Sequence, residues 1–128
     1  MRVFTTRSFA RFSRRQRIGE DGLCEAIERA ERGLIDAILG GGVIKQRIAR
    51  KGRGRSGGYR ALVVYRAGER AVFLYGFAKN ERDNIDDDEL ARLRRAAEEI
   101  LTWSDRQIAA LLATGEWLEI ECGDEKQH

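Results

Sequence analysis

The chain has 128 residues, of which 42% are hydrophobic and 35% are charged, and its formal net charge is +3. This length suits one domain with one modest core. No apolar stretch approaches the roughly 20 residues of a transmembrane helix, and the N-terminal stretch lacks the continuous apolar core of a signal peptide. We therefore expect a cytoplasmic protein that does not act at a membrane.

Charge is distributed unevenly along the chain. The cations concentrate in residues 2–17 and 45–60, whereas the acids concentrate in residues 20–36, 81–99 and 116–125. Such a distribution predicts one basic face on an otherwise acidic molecule. Phosphate is the partner that a basic face of this kind most often binds.

The sequence offers little for metal or thiol chemistry. Its single histidine is His128, and Cys24 and Cys122 lie far apart without neighbouring Cys or His residues. We therefore predict no metal site and no cofactor. In a reducing compartment the two cysteines are predicted to be free thiols.

The chain is predicted to begin with a short strand, residues 2–6, and a helix through about Arg17. Thr6 or Ser8 supplies the N-cap of this helix, and its two phenylalanines share one face. The opposite face carries five arginines, namely Arg7, Arg11, Arg14, Arg15 and Arg17. We interpret them as a solvated helix exterior, with a contribution to nucleic-acid binding as the alternative.

A second helix is predicted to start at a cap on Asp21 and to run to about Arg32, with Gly33 at its C-terminal cap. The two helices form an αα-hairpin. Residues 34–39 are predicted to be a connector. Residues 43–49 alternate apolar with basic side chains, which indicates a strand whose polar face is cationic.

The stretch 45–60 holds seven cations and no acid. Its loop, residues 50–58, contains the pattern G-x-G-x-x-G, but a strand rather than a helix follows, so we reject a dinucleotide site. The glycines and arginines are instead predicted to wrap a phosphate, and a flexible hairpin loop is the alternative.

Two apolar runs, residues 59–65 and 71–78, predict a β-hairpin that brings the basic residues at its two ends together. In its second strand, the odd-numbered positions from Ala71 to Lys79 are predicted to share one face. Arg60 begins the first strand. We interpret it as a rigid phosphate clamp rather than as a strand-end arginine that reaches for water.

The C-terminal part is predicted to be mostly helical. Asp86 and Glu89 predict a capping box for a helix to about Thr102, in preference to a magnesium site. A second capping box, Ser104 with Gln107, predicts another helix. A short extended piece and a polar tail follow.

This element order predicts an α+β domain, with an N-terminal strand and a helical hairpin packed on a mostly antiparallel sheet. The whole chain, residues 1–128, is predicted to be one domain. Its core spans about residues 1–102, a C-terminal helix and short strand span 103–121, and the polar tail spans 122–128.

Three stretches resemble a known family. They are GGGVIKQR at 40–47, GRGRSGGYR at 52–60 and FLYGFAKNE at 73–81. Over about residues 1–102 the chain resembles the RelE/ParE superfamily of bacterial toxins, in its HigB-like branch. The resemblance implies a RelE-like fold and a toxin that cuts mRNA in the ribosomal A site. It also implies a cognate antitoxin, which we expect to be a helix-turn-helix DNA-binding protein.

The resemblance also implies most of the site residues, and the chain within and between these stretches adds Glu81, Arg50 and Tyr59 as further candidates. The catalytic candidates are Arg60, Lys79, Lys51 and Glu81. The candidates for binding RNA and the ribosome are Lys45, Arg47, Arg50, Arg53, Arg55, Tyr59 and Arg82. A C-terminal tyrosine or a histidine serves as acid or base in some members of the superfamily, and neither has a clear counterpart here.

RNA cleavage through the 2′-OH needs a base, an acid and cations that stabilise the charge of the phosphorane. Arg60, with Arg53 or Arg55, suits the last role. Lys51 or Lys79 is expected to be base or acid, because neighbouring arginines disfavour a charged lysine, and Glu81 is a further candidate base. Two alternatives remain open, a ParE-like inhibitor of DNA gyrase and a non-enzymatic nucleic-acid-binding regulator.

Overall fold

The computed structural model describes residues 1–49, 58–79 and 85–123, and these ranges contain six strands and four helices. The strands are β1 (Arg2–Thr6), β2 (Ala37–Gly40), β3 (Val43–Ile48), β4 (Tyr59–Arg66), β5 (Arg70–Ala78) and β6 (Trp117–Ile120). The helices are α1 (Arg7–Arg15), α2 (Glu20–Glu31), α3 (Asp87–Thr102) and α4 (Asp105–Thr114). Each helix in these ranges is too short or too polar to span a lipid bilayer.

All six strands form one sheet in the order β2-β3-β4-β5-β1-β6. The β1–β5 pair is parallel, and every other neighbouring pair is antiparallel. One core lies between the sheet and α1 with α2, and a second core lies between the opposite sheet face and α3 with α4. The structure thus confirms the predicted α+β fold, and helices cover both faces of the sheet.

The two N-terminal helices start differently. The Thr6 hydroxyl accepts a hydrogen bond from the Phe9 N–H at 3.2 Å, which confirms one of the two predicted caps of α1. The N-cap residue of α2 is Gly19, which has no side chain to accept a hydrogen bond. The N-cap predicted at Asp21 is therefore wrong. Asp21 instead lies in the first turn, where its charge favours the helix dipole.

Residues 34–39 were predicted to be a connector, but they include most of strand β2, so that prediction is wrong. This four-residue edge strand pairs with β3, with Ala37 opposite Lys45. The chain turns between them on Gly41 and Gly42, which both have positive φ. Half of the positions in so short an edge strand face solvent, and a run of this kind has little period-2 signal.

A β-bulge corrects the faces predicted for β5. The register with β4 shifts between Leu62, which pairs with Tyr75, and Val63, which pairs with Phe73, so Leu74 is the additional residue. Phe73 therefore packs under α1 and α2, while Tyr75 packs with the core under α3. An alternation read from the sequence cannot account for one inserted residue.

The C-terminal elements agree with the predictions. Asp86 and Glu89 form a complete capping box at α3, and Ser104 and Gln107 form one at α4. Helix α4 ends at Gly115, which has a φ of +78°. Strand β6 then pairs with β1 and becomes the second edge of the sheet.

The cysteines are joined, so the prediction of free thiols is wrong. Cys24 in α2 and Cys122 form a disulfide across 98 residues, and Cys122 therefore does not belong to a loose polar tail. The two side chains meet because β6 lies beside β1 and returns the chain to the face that α2 covers. Nothing in the local sequence around either cysteine indicates this pairing.

Candidate nucleic-acid interface

Basic side chains meet on the face of the sheet that α3 covers. Arg47 on β3 lies opposite Arg60 on β4, and Arg60 lies opposite Phe77 on β5. Two residues further along β4, Leu62 lies between Lys45 on β3 and Tyr75 on β5. Leu62 belongs to the core under α3, and alternate residues of a strand share a face, so Arg60, Arg47 and Lys45 point to this side.

Lys79 completes what we call the basic cluster, which consists of Lys45, Arg47, Arg60 and Lys79. The backbone N–H of Lys79 donates to the Gly58 carbonyl at 3.0 Å, directly beyond the Tyr59–Ala78 pair. The residue before β4 and the residue after β5 therefore lie side by side. This geometry confirms that the two ends of the hairpin meet at one end of the sheet.

Within the described ranges, no member of the basic cluster forms an ion pair with a carboxylate. The Cα atoms of facing residues on antiparallel strands lie about 4.5–5.5 Å apart. Like charges that face each other directly are destabilising in a sheet. The facing pair of Arg47 and Arg60 therefore destabilises the free protein locally, and a bound anion would remove this repulsion.

Arg60 is held where its strand begins. Its Nη1 donates to the carbonyl of Tyr59 at 3.2 Å, and the side chain is half-buried. A guanidinium tied to its own backbone loses less freedom when it binds than a side chain free in solvent. Its remaining N–H groups keep the planar geometry that matches two phosphate oxygens.

Arg47 is positioned through its backbone by residues that the sequence analysis did not identify. Its N–H donates to Asp36 Oδ2 at 2.6 Å, and its carbonyl accepts from Arg29 Nη2. Arg29 also pairs with Asp36 at 3.5 Å and with Glu25 at 2.8 Å. This network ties α2 to β3 and to the residue that precedes β2, and so holds the backbone of Arg47 at the sheet edge.

Gln46 anchors the same edge from the opposite face. Its side chain is fully buried, where its Oε1 accepts from the Asp36 N–H at 2.8 Å and its Nε2 donates to the carbonyls of Ala26 and Leu34. A buried amide with its hydrogen bonds satisfied holds one geometry strongly. In the sequence, the only sign of this anchor is an uncharged glutamine between the two basic residues Lys45 and Arg47.

Tyr59 does not belong to this interface. Its side chain is 3% exposed and lies in the core under α1, with its ring edge-on to Phe12 at 5.9 Å. Its hydroxyl donates to the Gln16 carbonyl at 3.4 Å. Being odd-numbered on a regular strand, Tyr59 points away from Arg60, so this predicted RNA contact is corrected to a packing role.

Six predicted site residues lie outside the described residues. Two of them were predicted to be catalytic, Lys51 and Glu81, and four were predicted to bind RNA, Arg50, Arg53, Arg55 and Arg82. Their segments adjoin the basic cluster in sequence, because one ends just before Gly58 and the other starts just after Lys79. Their roles remain predictions.

Sequence comparison agrees with this architecture. The family model described as RelE toxin of the RelE/RelB toxin-antitoxin system matches residues 1–120, from β1 to the end of β6. The match is longer than the resemblance carried by the motifs alone. A search of curated proteins finds no significant match. Because the family model covers the whole of the described sheet and its four helices, the chain belongs to the RelE toxin family of toxin–antitoxin systems.

Proposed function

We propose that this toxin is a ribosome-dependent endoribonuclease that cuts mRNA in the ribosomal A site. The observation that carries the proposal is the facing pair of Arg47 and Arg60, with Lys45 and Lys79 beside it and no carboxylate paired to any of them in the described ranges. We further assign the chain to the HigB-like branch, on the SGGYR and FAKNE motifs at 56–60 and 77–81. Such a toxin works where ribosomes are, in the cytoplasm.

The reaction uses a nucleophile that belongs to the substrate. The 2′-oxygen attacks the adjacent phosphorus as a base takes its proton, and the bond from phosphorus to the 5′-oxygen breaks as an acid protonates that oxygen. The products are a 2′,3′-cyclic phosphate and a 5′-hydroxyl end. In this proposal Arg60 and Arg47 stabilise the negative charge that develops on the phosphorane, in a metal-independent reaction.

The proton transfers are assigned to Lys79 and to two residues close to the ends of the hairpin in sequence. Lys79 is exposed, and its backbone N–H is hydrogen-bonded to Gly58. It directly follows Ala78, which pairs with Tyr59. With Lys51 and Glu81 it makes up the set from which the acid and the base are drawn. The remaining predicted cations, Arg50, Arg53, Arg55 and Arg82, bind substrate or ribosomal RNA in this proposal.

A cell-free translation reaction tests the proposal. Mapping of mRNA 5′ ends should show new ends in phase with codons when the toxin is added, and none when ribosomes are omitted. Intact mRNA in the presence of active ribosomes would remove the nuclease and leave a protein target such as DNA gyrase, or a non-enzymatic nucleic-acid-binding role.

Variants of Arg60 test its assignment. Loss of one positioned donor to a developing anion costs about 10²–10³ in rate, and Arg60→Ala should fall in that range. Arg60→Lys keeps the charge but loses the planar fork, so it should recover only part of the rate. Arg92→Ala, at an exposed position of α3, is the matched control and should keep wild-type cleavage. Wild-type cleavage by Arg60→Ala would refute the assignment.

A toxin of this kind has an antitoxin partner. We propose that the antitoxin is a helix-turn-helix DNA-binding protein that inhibits by covering the basic cluster with acidic or amphipathic residues. Charge complementarity supports this docking, because the cluster has no acidic partner in the described part of its own chain. Hydrogen exchange around β4 in the purified complex is the test. Exchange equal to that of the free toxin would exclude direct coverage.

A further inference from the structure

A second cationic surface lies on the opposite side of the molecule. It consists of Arg7, Arg11, Arg14 and Arg15 on α1 together with Arg17 just beyond it, and we call it the arginine stripe. All five side chains are exposed. On α1 the spacings of four, three and one residues place the arginines within about a third of the helix circumference, at 3.6 residues per turn.

The stripe is separated from the basic cluster by the sheet itself. The other side of α1 buries Phe9 and Phe12, and the Phe9 ring packs on Phe73 with centroids 5.0 Å apart. Phe73 belongs to the core under α1 and α2, whereas Arg60 points to the face under α3. One anion at the basic cluster therefore cannot contact both surfaces from the same side.

The stripe also lacks internal neutralisation. Helix α1 contains no acidic residue, and none of the five arginines forms an ion pair within the residues that the structure describes. By contrast, Arg2 and Arg29 elsewhere in the chain do form ion pairs with carboxylates. As far as the described residues go, the charge of α1 is therefore available to a partner.

We propose that the arginine stripe binds the phosphate backbone of structured RNA, as a surface separate from the site of cleavage. The arginines of the stripe recur about once per helical turn, which is a rise of about 5.4 Å. This spacing is close to the separation of successive phosphates along a nucleic-acid strand. Arginine presents a planar fork that binds phosphate oxygens in pairs. A backbone contact of this kind needs cations alone and no sequence-reading side chains.

An acidic protein surface would be the competing partner, and the composition of the stripe argues against it. Protein interfaces are centred on apolar or aromatic anchors. The exposed positions of α1 are arginines and Ser8, and both aromatic side chains of the helix are buried. The stripe therefore has charge but no apolar centre.

The test measures binding rather than cleavage, so it does not depend on the nuclease activity. Full-length protein carrying Arg60→Ala is titrated into a fluorescein-labelled RNA stem-loop, and anisotropy is recorded at several KCl concentrations. The stripe variant adds Arg7→Gln, Arg11→Gln and Arg14→Gln. The control adds Arg92→Gln, Arg95→Gln and Arg106→Gln, which remove the same charge from exposed positions on α3 and α4.

We expect the stripe variant to bind the stem-loop at least about tenfold more weakly at low salt, with a salt dependence flatter by about 2–3 in slope, since each phosphate contact contributes about 0.7–0.9. The control should keep the affinity and slope of its parent. Gln has a helix propensity close to that of Arg, and unchanged circular dichroism would confirm that α1 is intact.

Two results would overturn the proposal. Equal weakening by both triple variants would show that only net charge matters. Unchanged RNA binding by the stripe variant, with a loss of binding to a labelled poly-aspartate peptide instead, would assign the stripe to an acidic protein partner.

Discussion

Gly76, in the middle of β5, allows α1 to pack closely on the sheet. It pairs with Ala61, so two small residues lie side by side under the aromatic rings of the helix. A Cβ at Gly76 would lie 2.4 Å from Phe12 Cε2 and 2.9 Å from Phe9 Cε1. Carbon atoms prefer separations of about 3.5–4.0 Å, so Gly76→Ala requires the rings to retreat by about 1 Å.

Neither ring has free space for that retreat. Phe9 packs against Phe73 and Phe12, and Phe12 packs edge-on to Tyr59. Overpacking of this kind costs about 1–3 kcal/mol, and we expect the upper part of that range because two rings are displaced. Replacing glycine by alanine within a strand returns about 0.5–1 kcal/mol. The expected net loss is therefore about 2 kcal/mol, or about 8 °C in melting temperature at about 4 °C per kcal/mol.

Urea unfolding followed by circular dichroism measures this change. Gly22→Ala is the matched control, because the new methyl group would meet Ile48 and Ile18 at 3.4 and 3.6 Å, which are ordinary contacts in a helix. We expect it to stabilise by up to about 1 kcal/mol. Adding Phe12→Leu to Gly76→Ala should cost less than the sum of the single changes. A midpoint for Gly76→Ala at or above wild type would refute this account of the packing.

Three further predictions concern stability. Two hydrogen bonds from Arg2, at 2.9 and 3.0 Å, lower the pKa of Glu119. The ionised carboxylate therefore stabilises the fold above its ordinary pKa of about 4.3, and this stabilisation is lost as the pH falls through the pKa of the folded state. Both side chains are only partly buried and their interaction is screened by solvent, so Glu119→Gln should flatten the acid side of a stability–pH curve by less than about 1 kcal/mol, and an unchanged curve would contradict this. Reduction of the Cys24–Cys122 disulfide should lower the free energy of unfolding by about 2–4 kcal/mol, and a urea midpoint insensitive to dithiothreitol would count against it. Arg17 has a φ of +58°, so Arg17→Gly should raise stability by about 1 kcal/mol, and a lower melting temperature would be the opposing result.

Local signals in the sequence predicted the elements well. The caps at Thr6, Asp86 and Ser104 set helix starts through hydrogen bonds to residues three positions away, so a short stretch of sequence contains both partners. The hairpin that carries Arg60 was predicted for the same reason, since its strands adjoin a short turn. Interactions within a few residues leave a pattern that can be read directly.

Long-range geometry was the part that the sequence did not reveal. The bulge at Leu74 reverses the faces of Tyr75 and Phe77, and it follows from how β5 fits between two other strands. The Cys24–Cys122 bond depends on the placement of β6. At the basic cluster, Arg60 and Arg47 were predicted, but the support from Asp36 and Arg29 was not, because it arises only when α2 packs on the sheet edge.

The position of β1 determines the order in which the molecule can be completed during synthesis. Its neighbours are β5, starting at Arg70, and β6, ending at Ile120, so the strand made first is enclosed by strands made much later. Until β5 leaves the ribosome, Phe4 has no sheet to join, and until β6 follows, β1 remains an open edge. Contacts between residues so distant in sequence fold slowly. While the ribosome translates the codons for residues 2–120, the six-stranded sheet is therefore incomplete. The folded toxin can form only after β6 has been synthesised.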